Sequence, residues 1–115
     1  MNQTIRQRVI AAALPCLPTH EKNISSRAAR YFDIALQAGA EEYTAAALAL
    51  NGLAADYTTW ANELDDPRSY AANDGPRIQR FRSASCELSA ASRRFRMAGE
   101  QAAFDLLVKA AELAA

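Results

Sequence analysis

The chain has 115 residues, half of them hydrophobic and 23% charged, and its 13 basic and 13 acidic side chains cancel to a formal net charge of zero. That length makes one domain, residues 1–115, with apolar material enough for a core that needs no metal or disulfide staple. Wholesale disorder is excluded, and no apolar run approaches the ~20 residues of a membrane span.

Alanine is the outlier at 27 residues. Its helix propensity and low profile predict closely packed helices. The basic residues are 11 arginines and two lysines, a bias that fits a GC-rich bacterial or phage coding sequence. Arginine also suits bidentate contacts to carboxylates and phosphates.

In chain order, a first helix is predicted from about Thr4 to Leu14, with Ile5, Val9, Ala12 and Ala13 on one face. Arg6 and Arg8 precede the apolar run Val9–Leu14, but the run is too short for an export signal and no small-x-small cleavage site appears before His20. Pro15 and Pro18 bracket a stiff connector, since proline fixes φ and pushes its predecessor out of helical space. Thr19 is the expected N-cap of a second helix, with Glu21 near the positive end of its dipole. Ile24, Ala28, Tyr31, Phe32, Ala35 and Leu36 follow at the helical period, and Gly39 reads as the stop.

A third helix is clearest. Tyr43, Leu50, Leu53, Tyr57, Trp60 and Leu64 fall at alternating three- and four-residue steps, with Ala46 filling the missing one. Such a narrow seam suits one antiparallel neighbour. Asn51-Gly52 lies in phase within it and reads as a weak spot inside the helix. The helix should end at Asp65-Asp66-Pro67. Residues 65–76 form the substantial loop, with turn chemistry at Asn73-Asp74-Gly75-Pro76 and Pro76 at the first position of a last helix.

That last helix carries Ile78, Phe81, Ser85, Leu88, Ser92, Phe95, Gly99, Ala102, Leu106 and Leu113 on the same alternating step. Unbroken, it would span about 55–60 Å against about 35 Å for the third. Either it breaks or kinks near Gly99, or its end overhangs and packs on something else. Ser85, Ser92 and Gly99 recur every seven residues, small positions where a neighbouring backbone can approach. The expected fold is therefore an all-α antiparallel bundle of about four helices with a long C-terminal helix.

Charge is sorted along the chain. Tyr31 to Pro67 contains no lysine or arginine but carries Asp33, Glu41, Glu42, Asp56, Glu63, Asp65 and Asp66. Arg68 to Arg96 then holds seven arginines against Asp74 and Glu87. Segregated charge makes a directional field that selects partners and orientation even when the total cancels. Packing the acidic third helix against the basic fourth would let the two blocks face each other within the bundle. Any charge left over marks the candidate partner-binding set: Arg80, Arg82, Arg93, Arg94 and Arg96 on the last helix, Glu41, Glu42, Asp56, Glu63, Asp65 and Asp66 in the acidic block, and Arg68 with Tyr70 in the loop. Arginine and tyrosine are residue types that anchor interfaces.

Catalysis has little material. His20 is the only histidine, and Cys16 lies four residues before it with Pro18 breaking the turn between them. One histidine and two distant cysteines make neither a triad nor a zinc set, and Glu41-Glu42 and Asp65-Asp66 lack the spacing of a calcium loop. Four scattered glycines make no phosphate cradle. No cofactor is expected. Cys16 and Cys86 read as free, reduced thiols in a cytoplasmic setting.

The expected function is a non-enzymatic protein that binds a macromolecular partner, a regulator or inhibitor acting by surface occlusion. By size and composition alone it has the form of small bacterial and phage regulators, anti-CRISPR inhibitors among them. The alternative is nucleic-acid binding through the Arg-rich fourth helix, where Arg82, Arg93 and Arg96 lie near one stripe with Phe81 and Phe95 interleaved. A structural homodimer burying the overhanging fourth helix is the second alternative.

Overall fold

The computed structural model describes residues 3–16, 23–66 and 75–114, and within them every regular element is helical. These are α1 (Ile5–Ala13), a 3-10 turn at Leu14–Cys16, α2 (Ile24–Gln37), α3 (Glu42–Leu64) and α4 (Gly75–Ala114). The expected connector after Cys16, the Thr19 cap with Glu21, and His20 lie outside the described residues, as do positions 67–74 of the predicted loop.

Local chemistry sets the boundaries. Thr4 is the N-cap of α1 rather than its first residue: its hydroxyl accepts the Gln7 N–H at 3.1 Å while the Gln7 side chain accepts the Thr4 N–H at 2.9 Å, a reciprocal capping box. Gly39 stops α2 at φ +101°, a conformation that only glycine adopts freely, and the Ala40 N–H reaches back to the Ala35 carbonyl at 3.0 Å. Glu41 caps α3 by accepting the Thr44 N–H at 3.3 Å.

The four helices form an antiparallel bundle with α3 at its centre, touching each of the other three. The seam of α3 that faces α4 is the one predicted, with Leu50, Leu53 and Tyr57 fully buried. A single neighbour does not suffice, however. Ala45, Ala49, Gly52 and Asp56 make a second inner face against α2, where the Tyr31 ring lies on Gly52 and Tyr31 and Arg27 both reach Asp56. Residues this small carry almost no hydrophobic signal, so the face is silent in a pattern of bulky residues. Gly52 is thus a close-approach point: an added Cβ would stand 3.1 Å from the Tyr31 ring.

The heptad of small residues on α4 sets the register with α3. Ser85 Oγ donates to the Ala54 carbonyl at 2.9 Å and Ser92 Oγ to the Ala47 carbonyl at 2.7 Å, seven residues apart on each helix. The next member, Gly99, receives Tyr43: a Cβ at Gly99 would lie 2.7 Å from the Tyr43 Cβ. The helix does not break at this glycine: α4 runs unbroken through it, and the missing side chain leaves room for Tyr43. α4 then continues for 15 residues past the end of α3, which gives the molecule its 66 Å long axis across a 25 × 24 Å section.

At the opposite end of the α3–α4 pair, Tyr57, Trp60 and Phe81 cluster with ring centroids 5.2–5.9 Å apart, the first two edge to face. Arg27 lies over Trp60 at 4.8 Å and Arg77 over Phe81 at 5.6 Å, two cation–π contacts on its rim.

Candidate functional site

Two acids of the block, Asp33 and Asp56, are met from outside the arginine-rich helix. Asp33 on α2 takes a bidentate contact from Arg6 of α1, both bonds 3.0 Å. Hydrogen bonding to that guanidinium holds the Asp33 carboxyl below its ordinary range. Asp56 on α3 pairs with Arg27 of α2 and accepts the Tyr31 hydroxyl at 2.6 Å, in a half-buried knot that Trp60 covers through Arg27. At Asp65, the C-cap of α3, α4 contributes through Arg82 at 2.9 Å. At this end of the bundle the two charge blocks face each other, as expected.

This leaves arginines of α4 unspent. Arg80, Arg93 and Arg96 are exposed and make no ion pair with another described residue. At about 100° per residue, Arg82, Arg93 and Arg96 lie within roughly 60° of one another around α4, as expected, with Arg80 and Arg94 on a different side. Arg94 borders a cleft with Ala12, Pro15, Cys16, Glu87 and Ala90. There the Cys16 thiol is pushed up to about 11, first by burial and then by the Glu87 carboxylate, with Arg94 opposing. Its hydrogen goes to the Ala12 carbonyl at 3.6 Å. A thiol so held is a poor nucleophile at neutral pH. Cys86 is exposed on the outer side of α4.

The candidate acidic residues are not gathered into one surface. Glu41 and Glu42 stand at the start of α3, level with Gly99, whereas Glu63, Asp65 and Asp66 stand at its far end, about 30 Å away by helical rise. Asp56, between them, is engaged inside the chain. Arg68 and Tyr70 lie outside the described residues. Two features carried no signal in the charge pattern. One is Arg27, whose role emerges only once α2 is laid across α3 beside Trp60. The other is the apolar flank of α4 beyond Gly99, where Phe104, Leu107 and Val108 are exposed away from the predicted seam.

Among the described residues, no group of three or more His, Cys, Asp or Glu side chains is placed to hold a metal ion, and no helix is long and apolar enough to cross a membrane. The architecture is that of an all-α helical bundle. No family model, curated protein or solved structure matches the chain.

Proposed function

We propose that this chain is a non-enzymatic binding protein that docks through the exposed arginines of α4 onto an acidic surface of a protein partner and occludes it. The observation that carries this reading is the unspent charge: Arg93 and Arg96, one helical turn apart on one side of α4, are exposed without an ion-pair partner among the described residues, while Arg6 and Arg27 meet the acids of α2 and mid-α3. Guanidinium groups exposed in pairs offer bidentate geometry to carboxylates at little desolvation cost until a partner arrives. Charge of this kind speeds encounter and fixes orientation. Support for a binding rather than catalytic role comes from the sequence, with its one histidine, and from the protonated state that burial imposes on Cys16.

The test is capture of a partner from host lysate by the wild-type chain, with the partner identified by mass spectrometry and its affinity then measured. The double variant Arg93→Glu, Arg96→Glu should lose at least 100-fold in affinity while its helical circular dichroism is unchanged, because both positions are solvent-facing. Equal affinity in the variant removes these arginines from the mechanism. Retention of the wild type on duplex or single-stranded DNA at low salt, lost near physiological salt, would assign them to phosphates instead.

A further inference from the structure

Two neighbouring clefts lie where α1 meets α4. The first, of about 320 Å³, is lined by Gln3, Arg8, Ala11, Ala12, Arg94 and Phe95. The second, of about 300 Å³, shares Ala12 and Arg94 with it and adds Cys16 and Glu87. The first carries charge of one sign. Arg8 comes from α1 and Arg94 from α4, and no acidic residue is among the described residues of its wall. Neither guanidinium makes a hydrogen bond or ion pair with another described residue. Arg8 lies over the Phe95 ring, 5.2 Å from its centroid, a contact that holds the cation in place without neutralising it. Phe95 itself is buried, so the floor beneath the charge is apolar. Elsewhere the fold matches cations between helices, Arg6 with Asp33, Arg27 with Asp56 and Arg82 with Asp65. Here two cations from two helices share one recess with no counter-charge, and their mutual repulsion is what a bound anion would relieve.

We infer that this cleft between α1 and α4 binds a compact phosphomonoester, its dianionic head held by Arg8 and Arg94 and its short organic part resting on Ala11, Ala12 and Phe95. Charge and size select the class. Two guanidinium groups match a dianion, whereas one carboxylate would leave one of them without a counter-charge. A phosphate monoester carries about −1.5 to −2 charges near neutral pH and three strong acceptor oxygens. That is enough for a forked contact from each arginine and for the side-chain amide of Gln3. A volume of about 320 Å³ stands at the lower end of the ~300–1,000 Å³ of small-molecule pockets, which suits a ligand of a few carbons. Glu87 in the adjoining cleft puts a negative charge there and disfavours a second anion, so one ligand is expected per chain. The site is separate from the surface of Arg93 and Arg96, since Arg94 points to a different side of α4.

Glycerol 3-phosphate titrated into the full chain at low ionic strength, followed by amide chemical shifts, should saturate one site. The shifts should centre on Arg8, Ala11, Ala12, Arg94 and Phe95. Inorganic phosphate should compete for the same site, and acetate should bind at least 10-fold more weakly. Arg8→Gln and Arg94→Gln, both at exposed positions, should each weaken glycerol 3-phosphate at least 5-fold with unchanged helical circular dichroism. The variant Arg93→Gln, Arg96→Gln should bind it within 2-fold of wild type, which separates this site from the protein-docking surface. The absence of saturation by 20 mM overturns the inference. So do shifts spread evenly over the arginines of α4, acetate that binds as well as phosphate, or full affinity in both single variants. A phosphoserine peptide that binds at least 10-fold more tightly than glycerol 3-phosphate overturns the small-molecule assignment and places the phosphomonoester on a protein side chain.

Discussion

Cys16 and Cys86 have the same side chain and opposite prospects. Burial and the adjacent Glu87 raise the Cys16 thiol from an ordinary 9.0 to about 11, whereas Cys86 is exposed. Each pKa unit is tenfold in thiolate, so brief iodoacetamide treatment at pH 8, read by mass spectrometry, should label Cys86 at least ~10-fold faster than Cys16. The same shift has a thermodynamic consequence. The folded chain holds this proton more tightly than the unfolded chain, so its contribution is complete below the unfolded thiol value and declines as pH rises from about 9 toward 11. Arg27 is the other residue with more than one task, since it pairs with Asp56 and covers Trp60. Arg27→Ala leaves a half-buried carboxylate with the Tyr31 hydroxyl alone and uncovers an indole face. A loss of about 1–3 kcal/mol in urea denaturation is expected, between the values for exposed and fully buried pairs.

Among the elements, the contact of α3 with α4 organises the rest, and one point of close approach is Gly99 against Tyr43. Alanine there would gain up to about 1 kcal/mol of helix propensity, but its Cβ would meet the Cβ of Tyr43, an atom fixed to the backbone that no rotamer change can move. Overpacking of this kind costs roughly 1–3 kcal/mol, so Gly99→Ala should lower the urea midpoint despite the better helix former. Gly52→Ala meets only the edge of the Tyr31 ring, which can tilt, and should stay within about 1 kcal/mol of wild type. The contrast shows what the sequence made legible. Ser85, Ser92 and Gly99 at seven-residue spacing announced an approach of backbones, and that is where α3 lies. Bulky residues at helical steps announced the α3 seam. The second face of α3 stayed hidden because Ala45 and Ala49 look alike whether they line a core or a surface. Asp56 looked like free charge because its partner Arg27 is distant in sequence and belongs to a block counted separately.

At the scale of the molecule, sorted charge translates only in part into facing charge. Arg6 and Arg27 take Asp33 and Asp56, while Arg93 and Arg96 have no ion-pair partner among the described residues. Arg82 with Asp65 is an exposed pair worth roughly 0–1 kcal/mol, enough to help set register but little for stability.

Because α4 crosses Gly99 without a joint, the protruding segment is a lever about 20 Å long fixed into the bundle, with Tyr43 at its fulcrum. A load at its tip has no hinge in which to dissipate. It reaches the serine hydroxyls anchored on α3 as bending or torsion of a single rod. Whatever grips that tip therefore has mechanical purchase on the packing of the entire fold.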